Sequence, residues 1–269
     1  MAVTLVGVRA KIERAKKHID DFDAAFLSHG TIISTQVEKE SVEHQPEGRR
    51  VTAAVSSGKL PPDICLPIGD AVHNVRSALD HLICQLAVAA GNSAECDRTQ
   101  FPIYIQDTPD NRKTLNRRIR AVGPAAQTEI KSLQPYERRP QDPASDLLWM
   151  LSALDNIDKH RLLLVAHPQF TKLRLHITID GEAQSVTPSD HPDWRPLKFG
   201  AEPLRFRFLV PYDNTRPETK VEVKAEPLVG VVFQQTGLKC DGSDVRQVVR
   251  DMVADVTTIV DDFERKFFR

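Results

Sequence analysis

The chain has 269 residues, 41% of them apolar and 27% charged, and its 36 Lys and Arg against 37 Asp and Glu leave a formal net charge of −1. A chain of this length can bury a core without disulfide or metal staples, and its composition excludes disordered and fibrous proteins. Balanced charge excludes a whole-protein field drawing it towards nucleic acid or an anionic membrane, so any basic surface must be local.

Leu5, Val8, Ile12, Ala15, Ile19, Phe22 and Phe26 recur at steps of three and four, which predicts a first helix over about 3–28. The period changes over about 31–57, where Ile33, Thr35 and Val37, a polar turn at Gln45–Gly48, then Val51 and Thr52 predict a hairpin. After Pro61 and Pro62, the residues Val72, Val75, Leu79, Leu82, Ile83 and Leu86 predict a second helix over about 66–90. Residues 91–143 read as a connector with an extended piece at Phe101–Ile105 and short helices near 110–121 and 124–133. A third helix is expected over about 144–165, capped by Ser145, and β-character returns over about 170–235. Val245, Val249, Met252, Val256, Ile259, Val260 and Phe263 predict a fourth helix over about 243–268.

Four long helices in antiparallel succession put the two β-rich connections at the same end. The expected fold is α+β, an antiparallel four-helix bundle with one antiparallel sheet at one end, as a single domain over 1–269. Cys65, Cys84, Cys96 and Cys240 form no C-x-x-C pair, and two lie inside apolar-periodic segments, where a buried thiol is the expected role. Together with the lack of a leader-like start and of any apolar run near about 18 residues, this predicts a soluble cytoplasmic protein without a membrane span.

Clustered glycines, G-x-S-x-G, H-E-x-x-H and paired C-x-x-C signatures are all absent from the sequence, which removes those enzyme classes. Chemistry concentrates on the second and third helices. The second carries His73, Asn74, Arg76, Ser77, Asp80, His81 and Cys84 on the arc opposite its apolar face. Solvated faces favour Lys, Glu and Gln, whereas His, Asn, Ser and Asp are mediocre helix formers, so something other than propensity placed them. The third helix is apolar around most of its circumference, yet its C-terminal half reads Asp155, Asn156, Ile157, Asp158, Lys159, His160, Arg161. Such groups are costly inside a protein unless paired. Counted from a common end at about 1.5 Å per residue, the two clusters overlap in height, so the Arg76–His81 stripe is expected to face the Asp155–Arg161 segment in one polar site.

The run Arg76, Ser77, Ala78, Leu79, Asp80, His81 resembles the R-x-x-x-x-H motif of HEPN domains, helical bundles that include metal-independent ribonucleases of toxin and antiviral defence systems. The longer string Gly69–Leu82 also resembles a motif of bacterial proteins without an assigned activity. The HEPN resemblance implies RNA cleavage by attack of the 2′-hydroxyl on the adjacent phosphate, with no cofactor and no metal. In that scheme His81 is the acid or base and Arg76 the phosphate clamp, with His73, Asn74, Asp80, Asp155, Asn156, Lys159, His160 and Arg161 in support. It also implies a homodimer, because in the family the residue pairs of two protomers line one cleft.

From Arg112 to Arg139, eight basic residues stand against two acidic ones, a local net charge of +6. Arg112, Lys113, Arg117, Arg118 and Arg120 are the expected RNA-binding group. Two other readings stand beside this one. In the first, His73, His81, His160, Asp80 and Asp155 ligate a metal in the bundle. In the second, the polar stripes only fix helix register, and the chain is a noncatalytic protein that meets a protein partner.

Overall fold

The computed structural model describes residues 3–30, 36–45, 48–56, 62–160, 166–179, 182–186, 204–211, 221–233 and 236–268. The chain divides into two compact units, one from Met1–Ala24, Pro62–Ala166 and Phe233–Arg269, the other from Ala25–Pro61 and His167–Val232. Each unit is assembled from separated stretches, which is why no linker composition marks a boundary in the sequence.

The helical unit is built on four long helices, α1 (Val6–Gly30), α2 (Leu66–Ala89), α6 (Leu147–His160) and α7 (Val245–Phe267). Between α2 and α6 lie the short helices α3 (Pro109–Ile119), α4 (Pro124–Ser132) and α5 (Pro135–Arg138). Every apolar position of the first expected stripe, Leu5 through Phe26, is buried, as are the seven expected positions of α7. Side-chain pairs fix the directions of packing. Arg9 near the start of α1 pairs with Asp261 and Glu264 near the end of α7, while Asp23 of α1 pairs with Arg250, so α1 and α7 run antiparallel. Thr4 N–H donates to Gln85 Oε1 near the end of α2, and His73 of α2 meets Asp155 of α6, so α2 is antiparallel to both neighbours. This is the expected bundle.

The third helix is shorter than expected. A 3-10 turn over Pro143–Ser145 precedes α6, and Asp146 rather than Ser145 caps it, its Oδ1 accepting from Leu148 N–H at 2.9 Å. The Ser145 hydroxyl instead donates back to the Asp142 carbonyl at 2.8 Å. Residues 161–165, expected as the last turn, lie outside the described residues.

Residues 101–105 form no strand, and Phe101, Pro102 and Ile103 are buried. The left-handed Gly91 (φ +83°) ends α2 and turns the chain, and a 3-10 segment, Ser93–Arg98, follows. The chain from there to about residue 105 forms a strap pinned to α2 at two places described below. Gln134, fully buried, ties the far end of the strap: its amide donates to the Pro102 and Ile130 carbonyls, and its carbonyl accepts from Tyr104 N–H. The connector thus forms part of the core.

In the other unit, β1 (Gln36–Gln45) pairs antiparallel with β2 (Gly48–Ser56), with a register irregularity between Lys39 and Ser41, and β2 pairs antiparallel with β5 (Leu204–Pro211). β3 (Ala166–Ile179) neighbours β4 (Glu182–Val186), antiparallel to it, and β6 (Val221–Phe233). The strands therefore fall into two three-stranded groups, β1-β2-β5 and β4-β3-β6, instead of the single sheet expected. The physical reason is that β2 and β3 each recruit partners from different parts of 182–233, which alternation along a sequence does not specify. Ile33, Thr35 and the tip of the expected hairpin at 46–47 lie outside the described residues.

Candidate functional site

The polar arc of α2 does not face one neighbour. Its three parts meet three different elements: Asp155 of α6 meets the arc near the N-terminal end of α2, the strap covers it farther along, and α1 lies beside its far end.

At that N-terminal end, His73 Nδ1 lies 3.0 Å from Asp155 Oδ1 of α6, and Lys159 Nζ lies 2.5 Å from Asp155 Oδ2. Asp155 is only 3% exposed, whereas 52% of the His73 side chain is exposed. A carboxylate can only accept, so Nδ1 carries the shared proton and Nε2 is the nitrogen left for another partner. The helices are close because residue 69 is glycine: a Cβ there would fall 2.5 Å from Asp158 Oδ1 and 2.9 Å from its carboxyl carbon. Asn74 donates to the Asp70 carbonyl on its own helix, and Asn156 is exposed. The side chain of His160 and all of Arg161 lie outside the described residues.

One turn farther along, Arg76 is 5% exposed and both terminal nitrogens are engaged. Nη1 donates to Asp80 Oδ1 at 2.8 Å and Nη2 to the Phe101 carbonyl at 2.7 Å. Asp80 Oδ1 in turn accepts from Phe101 N–H at 2.8 Å. The pair reads both backbone groups of one residue and holds the strap on the helix. Beyond it, Cys84 and Cys96 form a disulfide across a sequence separation of 12, the second pin of the strap. This corrects the expectation of a buried thiol at Cys84, inside the apolar-periodic second helix. Cys65 and Cys240 remain thiols and are buried, and burial pushes the Cys65 thiol up to about 11, with Asp63 adding to the effect.

His81, at the far end of the motif, is exposed and lies towards α1, where a Cβ on Gly7 would stand 3.5 Å from its Nδ1. It does not meet the Asp155–Lys159 segment. The expected facing of the Arg76–His81 stripe with Asp155–Arg161 is therefore corrected: the structure joins His73 to Asp155 and Lys159, and directs Arg76 and Asp80 to the strap. His73 and His81 are eight residues apart on one helix, about 12 Å along its axis.

The basic group divides as well. Arg112 pairs with Asp107 at 2.9 Å, and Arg138, from the same basic span, makes a two-pronged pair with Asp255 of α7 at 2.9 and 2.7 Å. Lys113 is exposed. Arg117, Arg118 and Arg120 line a cleft of about 320 Å³ together with Arg98, Glu95 and Gln100 of the strap. Arg120 donates to Glu95 at 2.8 Å and Arg98 approaches the same carboxylate at 3.8 Å. The hydrogen bond from Arg120 holds the Glu95 carboxyl below its usual range. Arg118 lies 5.9 Å above the centre of the Tyr104 ring.

Sequence reasoning missed Phe101, Gln134, Glu95 and Arg98. The signals were present in the apolar run Phe101–Ile103 and in the pairing of one cysteine on α2 with one just after it. Among the described residues, no group of three or more His, Cys, Asp or Glu is placed to hold a metal ion, and no helix is long and apolar enough to cross a membrane. No family model, no curated protein and no solved structure matches this chain.

Proposed function

We propose that the chain is a HEPN-like, metal-independent endoribonuclease whose acid–base group includes His73 held by Asp155. The observation that supports it is the contact of the half-exposed His73 with a buried carboxylate at 3.0 Å. Aspartate fixes the tautomer and leaves Nε2 to take a proton. In RNA cleavage, Nε2 removes the proton of a 2′-hydroxyl, whose oxygen attacks the neighbouring phosphorus. The bond from phosphorus to the 5′-oxygen breaks, an acid protonates that oxygen, and the products are a 2′,3′-cyclic phosphate and a 5′-hydroxyl. Lys159, beside the same aspartate, adds positive charge at the mouth of this site.

His81 stands too far along α2 to serve the same phosphate within one chain, so in this proposal the second imidazole comes from another copy. That keeps the homodimer implied by the motif. Arg76 enters as the clamp of the strap, with Asp80, rather than as a group touching the substrate. RNA would approach over the basic surface of Arg112, Lys113, Arg117, Arg118 and Arg120. A role in defence belongs to the same proposal, while the Cys84–Cys96 disulfide removes the thiol argument for a cytoplasmic place.

The test is cleavage of single-stranded RNA by the full chain with a chelator present, with product ends identified. His73→Ala should lower the rate by about 10²- to 10⁴-fold, as loss of a general acid or base does, and His81→Ala comparably. Asp155→Asn should lower it less, because the imidazole keeps its place but loses the carboxylate that fixes its tautomer. If wild type cuts no RNA, or if His73→Ala cuts as wild type does, the ribonuclease proposal fails. The noncatalytic interaction protein, favoured by the use of Arg76 and Asp80 in packing, then replaces it.

A further inference from the structure

The arginine cleft has a feature that helix chemistry does not account for. Arg117 and Arg118 sit in the last turn of α3, where the helix dipole favours cations. Arg98 comes from the opposite wall, on the strap, and Arg120 follows α3. Four guanidinium groups thus line one hollow of about 320 Å³ with the single carboxylate of Glu95 among them. Like charges gathered this way repel one another unless an anion lies between them. The volume is at the small end of the range of about 300–1,000 Å³ for small-molecule sites.

The strap wall is also held in place. Cys96 is bonded to Cys84, and Phe101 is gripped by Arg76 and Asp80, so the stretch carrying Arg98, Thr99 and Gln100 is fixed to α2 at both ends. On the other wall Arg118 rests on the Tyr104 ring. The planar guanidinium of an arginine on fixed backbone presents paired N–H donors to two oxygens of a tetrahedral phosphate, at a lower ordering cost than flexible side chains on a mobile loop. Glu95, engaging Arg120 and near Arg98, then acts as an internal counter-ion with two oxygens, which a phosphate with three terminal oxygens can displace.

We propose that this cleft binds a phosphate group, carried by a small phosphorylated molecule or by an RNA strand, and that the Arg76–Asp80 pair positions its wall. The site shares Arg117, Arg118 and Arg120 with the RNA approach of the cleavage reading, but it requires no cleavage chemistry and no RNA.

The experiment measures binding to the full chain by calorimetry, using pyrophosphate, a short RNA with a 5′-phosphate and the same RNA with a 5′-hydroxyl. Wild type should bind pyrophosphate, and Arg98→Ala combined with Arg117→Ala should weaken that binding by about tenfold or more, with an unchanged melting temperature. Glu95→Gln should tighten it several-fold by releasing Arg120 and Arg98. Preference for the 5′-phosphate over the 5′-hydroxyl RNA assigns the site to a terminal phosphate, whereas equal binding of both that is lost in the double variant assigns it to internal phosphates. No binding of any of the three probes overturns the proposal, as does a double variant that binds all of them as wild type does. Cleavage could fail in every assay above without touching this result, and this site could fail with cleavage intact.

Discussion

Arg76→Ala separates a packing role for the motif arginine from a substrate-touching one. The arginine is 5% exposed and donates two charge-assisted hydrogen bonds, at 2.8 Å to Asp80 and 2.7 Å to the Phe101 carbonyl. Hydrogen bonds to charged groups contribute about 1.5–3 kcal/mol each, and breaking a buried ion pair costs about 3–5 kcal/mol because the abandoned partner stays desolvated. Here the Asp80 side chain is 33% exposed, so water takes up part of its loss, and the buried Phe101 carbonyl carries most of the penalty. The expected cost is about 3 kcal/mol. For a unit of about 150–250 residues each kcal/mol lowers Tm by about 2–4 °C, so the variant should melt about 10 °C below wild type. Asp80→Asn keeps an acceptor for Phe101 N–H while losing the charge, and should fall roughly halfway. The assay is thermal unfolding by circular dichroism, backed by urea titration at neutral pH. An Arg76→Ala protein that melts within about 2 °C of wild type refutes the clamp and returns the arginine to the substrate-binding role that its motif suggests.

Two further expectations follow from the same unit. Gly69→Ala places a methyl group 2.5 Å from Asp158 Oδ1, so α2 and α6 must separate or the carboxylate must move. The expected loss is about 1–3 kcal/mol in urea unfolding, and an unchanged midpoint would mean that the two helices are not held so close. Thiol titration without reductant should find no reactive cysteine in the folded chain, two after denaturation and four after denaturation with reduction, because Cys65 and Cys240 are buried and Cys84 is bonded to Cys96. Four thiols in the denatured, unreduced chain would disprove the disulfide.

The four long helices were legible because each carries an uninterrupted apolar stripe: Leu5 to Phe26 and Val245 to Phe263 are buried position by position. Their ends were less legible, since caps are decided by single hydrogen bonds. Ser145 and Asp146 are both capping residues by type, and only the geometry of Leu148 N–H selects the second. The arrangement of the strands was not legible either. Alternation identifies a strand and its two faces but leaves its partner open, and here the second partner of each, β5 for β2 and β6 for β3, comes from farther along the chain.

The composition of the α2 arc pointed correctly to a face that is not merely solvated, but the step from that to one shared site assumed that a helix meets one neighbour along its whole length. Instead the arc is divided by height: α6 takes His73, the strap takes Arg76, Asp80 and Cys84, and His81 stays open beside α1. The residues that divide it lie in the connector, whose buried Phe101 and Gln134 were hidden by the short, broken pattern around them. A helical wheel preserves angle and discards height, so residues that share an arc can serve unrelated contacts one turn apart. The motif Arg76 to His81 is a case in point. Its arginine and aspartate are used to hold backbone in place, and its histidine is exposed. The imidazole that meets a buried carboxylate is His73, which lies outside the motif and three residues before it.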